Sequence, residues 1–95
     1  MTRTAGEPYQ LVVAPSAARA IRDRLPEAVA VAVVAFTTGP LPADPHRVGK
    51  PLQRRLVGLW SARRGTYRVL YEIDDQTRTV RVVDANHRGD AYRPR

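Results

Sequence analysis

The chain has 95 residues, sixteen basic and nine acidic, giving a formal net charge of +7 and a pI of about 11.0. One small domain is all that such a length supports, and it buries only about 60–65% of the surface its unfolded form exposes. The absence of cysteine excludes a disulfide frame, a thiolate metal site and a cysteine nucleophile, and the longest apolar run (residues 28–36) is far short of the roughly 20 residues that cross a bilayer.

Residues 1–8 mix Gly, Pro, Thr and charge without periodicity or an apolar run. They are expected to be a flexible N-terminal tail rather than a secretory signal, ahead of a cytoplasmic domain over 9–95. Residues 9–13 are β-branched and aromatic and stop at Pro15, which predicts a strand. Ser16 stands where an N-cap belongs, before a helix over 17–25 with Ala17, Ala20, Ile21 and Leu25 on one face. Pro26 ends that helix and can open a second, over the run 26–39. Its apolar residues are continuous enough to suit a buried strand as well. Length, the proline start and the Gly39-Pro40 stop decide for a helix.

Residues 39–51 hold four prolines and two glycines and read as loop. Three strands follow. The first covers 55–62. The second covers 66–73, with Tyr67, Val69, Tyr71 and Ile73 on one face and Arg68, Leu70 and Glu72 on the other. The third covers 79–85, after the turn Asp74-Asp75-Gln76-Thr77. Short links predict an antiparallel meander, and the first strand, arriving across two helices, joins as a parallel neighbour. The expected fold is α/β (α+β) in the order β-α-α-β-β-β. It has a mostly antiparallel four-stranded sheet with two helices on one face.

The cationic excess favours a polyanionic partner. All but one of the sixteen cations are Arg, with Lys50 the single lysine, and the arginines crowd the second half. Arg63-Arg64-Gly65 lies at a link between strands, Arg68 comes early on the next strand, and His87-Arg88 follows the last one and leads to Tyr92. In a meander these groups return to one end of the sheet and form a basic pocket. Such a pocket suits RNA cleavage through the 2′-OH. Arginine forks hold phosphate oxygens, and histidine suits proton transfer near neutrality. Trp60, Tyr67 and Tyr71 alternate with apolar neighbours and are assigned to the core. His46 stands in the proline loop without a paired ligand. Arg68 and Glu72 share a face and could form a surface ion pair. Nothing has metal-ligand spacing or the context of a phosphate-cradling glycine loop, so no metal or cofactor is expected.

The run Gly58-Leu59-Trp60-Ser61-Ala62-Arg63-Arg64-Gly65-Thr66-Tyr67-Arg68-Val69-Leu70-Tyr71, with Gly49-Lys50-Pro51-Leu52 before it and His87-Arg88-Gly89-Asp90-Ala91-Tyr92 at the end, resembles the RelE branch of the RelE/ParE toxin superfamily. The resemblance covers about residues 9–93. It implies a toxin of a type II toxin–antitoxin system, an endoribonuclease that cuts mRNA in the ribosomal A site with the 2′-OH as nucleophile. Arg68, Arg88 and Tyr92 match the family's catalytic arginines and tyrosine, His87 its candidate general acid, and Arg63 and Arg64 its phosphate-gripping residues. With Arg63 counted among the catalytic groups, Lys50, Arg54, Arg55, Arg64 and Arg81 are the expected RNA-binding cations. The implied partners are an antitoxin protein and the ribosome with its mRNA, with no membrane and no cofactor. The chain departs from the best-known members at Leu59 and Ser61, where they carry lysines. It also has no glutamate where another branch keeps its general base, which leaves the proton acceptor open. A ParE-like gyrase inhibitor and a non-catalytic RNA- or antitoxin-binding module are the alternatives.

Overall fold

The alternation of Tyr67, Val69, Tyr71 and Ile73 with Arg68, Leu70 and Glu72 forms the central strand of a five-stranded sheet in the computed structural model, which describes residues 7–87. The strands are β1 (Gln10–Val13), β2 (Lys50–Pro51), β3 (Trp60–Arg64), β4 (Tyr67–Asp74) and β5 (Thr79–His87). Their order is β1-β5-β4-β3-β2, with β3, β4 and β5 as an antiparallel meander and β1 parallel to β5. Gly65, at φ +54, lets β3 and β4 reverse within two residues. The register of β4 and β5 shifts between Leu70 and Tyr71, where Val83 has no partner. This bulge keeps Val80 and Val82 before it and Ala85 after it in the core.

The helical layer comprises α1 (Pro15–Arg19), continued by a π-helical turn over Ala20–Arg24, then α2 (Glu27–Thr38) and the short α3 (Pro40–Ala43). Its Ala17, Leu25, Val33, Phe36 and Leu41 pack on Ala62, Val69, Tyr71, Val80, Val82 and Ala85 of the sheet. Helix α2 is apolar on almost every side: Val33 is fully buried, yet Val31 is 65% exposed, and no charged residue occurs from 28 to 43. Among the described residues no helix is long and apolar enough to cross a membrane.

Several sequence expectations are corrected. The sheet has five strands rather than four, because Lys50–Pro51 of the predicted loop pairs with Trp60 and Ser61 at the edge. That loop also contains α3, since Pro40 sits at a first helical position where proline lacks no needed donor. The third strand in chain order begins at Trp60, not 55. Residues 52–59 form a compact excursion closed by Leu52 N–H to the Leu59 carbonyl, with a 3₁₀ turn at Arg54–Leu56. Ser16 is no N-cap. Helix α1 starts at Pro15, and the Ser16 hydroxyl donates instead to the Val83 carbonyl at 2.7 Å, filling the acceptor at the bulge. The expected tail falls mainly on residues 1–6, outside the described residues.

Tyr71 ties the proline-rich segment to the core. Its ring is fully buried, and its hydroxyl donates to the Pro45 carbonyl at 2.7 Å. Burial pushes that hydroxyl up to about 12. The unfolded chain loses this proton near pH 10 while the folded chain keeps it, so the stabilisation is intact below pH 10 and is lost as pH rises from 10 through 12. The urea midpoint is expected to fall across that window by the equivalent of about 2 kcal/mol, and less in Tyr71→Phe. Equal falls in both proteins would place the alkaline loss elsewhere.

Candidate RNA-facing site

Strand alternation sends Ser61 and Arg63 of β3, and Arg68 and Leu70 of β4, to the face away from the helices. The register sets Arg63 directly opposite Arg68, and Arg68 opposite Asn86 of β5. Like charges directly opposed across strands repel, and an anion bound between them is one way to offset that repulsion. The Arg68 Nε is buried and has no hydrogen-bond partner. Among the described residues no carboxylate pairs with Arg68. Asp84, two residues before Asn86, is taken by Arg24 at 3.0 Å.

Beside this pair the sheet edge is also cationic. Lys50 of β2 stands opposite Ser61. A cleft of about 360 Å³ lies between them and the preceding segment, lined by Arg47, Gly49, Lys50, Ser61 and Arg63. Arg47 was not legible as a site residue, because it sits in an aperiodic proline-rich stretch with nothing in the pattern to aim it.

The structure separates other expected residues from this group. Arg64, adjacent to Arg63 on the same strand, points to the helix side, where its guanidinium lies 4.7 Å from the centre of the Phe36 ring. Tyr67 and His87 are in register with Arg64 on that side, and the Tyr67 hydroxyl donates to the Ala32 carbonyl at 3.4 Å. Burial raises the Tyr67 hydroxyl above its ordinary range, with Arg64 acting in the opposite direction. The end of β5 thus returns beside the basic turn as expected, but with the sheet between His87 and Arg68. Arg54 and Arg55 lie in the 3₁₀ turn, beyond the other end of β3. Arg81 is held by Glu72 at 3.4 Å, so the acid that could have paired with Arg68 is used elsewhere. Arg88 and Tyr92 lie outside the described residues.

The opposite end of the sheet is acidic. A cleft of about 530 Å³ there is lined in part by Glu72, Asp74, Asp75 and Arg81. Its carboxylates are occupied. Asp74 accepts the Gln76 and Thr77 amides, and Asp75 accepts from the Tyr9 hydroxyl and meets His46 Nε2 at 3.1 Å. The Tyr9 hydrogen bond holds the Asp75 carboxyl below its usual range against the opposing effect of desolvation, with lesser help from His46 and Arg78. This end fastens the chain and offers nothing for a phosphate.

Residues 9–92 match the family model described as ParE toxin of type II toxin–antitoxin system, parDE. The chain belongs to this toxin family, within the RelE/ParE superfamily. It is 49% identical over 86 residues to Toxin RelG of Mycobacterium tuberculosis, covering 90% of this chain and 98% of that protein. It is also 49% identical to Toxin RelE of the same organism, covering 90% and 88%. The toxin–antitoxin complex RelBE2 from M. tuberculosis contains a chain of the same fold, with TM-score 0.83 and 48% identity over 86% of this chain and 100% of that one.

Proposed function

We propose that this family member is a metal-independent endoribonuclease that cuts mRNA in the ribosomal A site and is neutralised by a cognate antitoxin. The observation that carries the reading is the opposed pair Arg63 and Arg68 on the face away from the helices. Two guanidinium forks on adjacent strands can bond the non-bridging oxygens of one phosphate and stabilise the charge that builds on it. The 2′-oxygen attacks the neighbouring phosphorus and gives up its proton to a base supplied within the ribosomal complex. The bond from phosphorus to the 5′-oxygen then breaks and that oxygen takes a proton, leaving a 2′,3′-cyclic phosphate and a 5′-OH. The antitoxin assignment is supported by the RelBE2 complex, and an acidic antitoxin segment would neutralise the same cations.

Induction in a bacterial host, with transcript ends mapped within minutes, tests the reading. New 5′-OH ends inside translated codons are expected. Intact transcripts with inhibited gyrase would move the chain to the ParE-like mode of action.

His87 is the proposed proton donor to the leaving 5′-oxygen, although it lies on the helix side of the sheet end, so the RNA would have to turn over that end to meet it. His87→Gln is expected to slow single-turnover cleavage roughly 10²-fold while leaving substrate binding unchanged. An unchanged rate would remove His87 from the reaction.

A further inference from the structure

The face away from the helices carries more cation than one phosphate needs. Arg63 has Arg68 on one side and the cleft with Lys50 and Arg47 on the other. The four cations therefore run obliquely from β4, across β3 and β2, to the segment before β2. Ser61, opposite Lys50, is two residues from Arg63, which is roughly 6.7 Å along the strand. That step is comparable to the distance between successive phosphates on an extended single strand. The cleft, at about 360 Å³, is roughly twelve water volumes, room for a phosphodiester and part of its sugar.

The segment bearing Arg47 and Lys50 is held at four consecutive kinds of contact. The Pro45 carbonyl accepts from buried Tyr71, and His46 meets Asp75. Val48 packs on the core. Gly49 sits so close that a Cβ there would lie 2.2 Å from the Tyr71 hydroxyl and 2.8 Å from the Ser61 carbonyl. Arg47 and Lys50 are the exposed side chains between and beyond these anchors. Among the described residues neither has a carboxylate partner. Two cations on a fixed backbone, at a concave surface whose described lining holds no acid, suit an anion held in one place.

We propose that this cleft is a second phosphate subsite. Arg47 and Lys50 hold there the phosphate next to the scissile one, so the chain grips two successive phosphates of its RNA. The assignment rests on the ribonuclease reading and adds to it the length of strand recognised and a residue, Arg47, that contacts it. An acidic protein segment is the competing occupant. A row of cations running across β4, β3 and β2 favours a regularly charged single strand.

The test is cleavage of ribosome-loaded mRNA carrying a neutral methylphosphonate at the phosphate on either side of the scissile one. For the wild-type chain, one of the two replacements is expected to lower kcat/KM roughly tenfold or more. Arg47→Ala combined with Lys50→Ala should lower it similarly on unmodified mRNA, mainly through KM, and should then be indifferent to that same replacement. Penalties that simply multiply, or a double variant that cleaves like wild type while losing affinity for an acidic antitoxin, would overturn the subsite and leave the nuclease reading standing. No cleavage of any RNA by the wild-type chain would instead overturn both.

Discussion

Arg68→Ala is expected to abolish growth arrest and to lower single-turnover cleavage about 10²–10³-fold, with the fold intact. Among the described residues the guanidinium has no carboxylate partner to leave stranded, and removing it separates the like charges opposed at positions 63 and 68. The thermal midpoint should therefore hold or rise while activity disappears, the exchange expected where a site is kept at some expense to stability. Arg68→Lys keeps the charge without the planar fork and should recover only part of the rate. Arg63→Ala in the Arg68→Ala background should add little, since the two act on one phosphate. Growth arrest by the Arg68→Ala, Arg63→Ala double variant would sink the assignment.

The second large effect is structural. Gly49→Ala would drive a methyl group to 2.2 Å from the Tyr71 hydroxyl. Neither the Ser61 carbonyl, in a paired strand, nor the fully buried Tyr71 can yield at little cost. Overpacking of this kind costs about 2–3 kcal/mol, which in a domain of this size lowers Tm by roughly 10–20 °C. Adding Tyr71→Phe removes the oxygen in the way. The double variant should therefore be more stable than the sum of the two single losses predicts, a coupling that urea denaturation can read. A Gly49→Ala protein within 0.5 kcal/mol of wild type would show that the segment gives way freely, and would remove the reason for Arg47 and Lys50 to be held in place.

The two long helical segments, the meander, the parallel entry of β1 and the two faces of β4 were legible because period-two alternation and proline punctuation are local signals. Arg63 and Arg64 were read as one basic turn. Pairing continues through Arg64, however, and successive strand residues point to opposite faces, so one lies away from the helices and the other lies on Phe36. Ser16 had the residue type of a cap, but Pro15 already occupies the first helical position and the hydroxyl is claimed by a carbonyl 67 residues away. The proline-rich segment hid most. Its order comes from Tyr71 and Ser61, both distant in sequence, and no local pattern in residues 39–51 announces that Arg47 is anchored beside Arg63.

The separation of charge along the sheet has a consequence before any contact forms. From Arg68 to Glu72 is roughly 13 Å along β4, longer than the Debye length of about 8 Å at physiological salt. A polyanion nearing the molecule therefore meets a dipole as well as a net positive charge. Torque turns the cationic end forward and the carboxylate end away, so productive encounters are over-represented among collisions. Dilute salt should lengthen the reach of this alignment and quicken association. Concentrated salt should slow it, even where the bound complex is unchanged in structure.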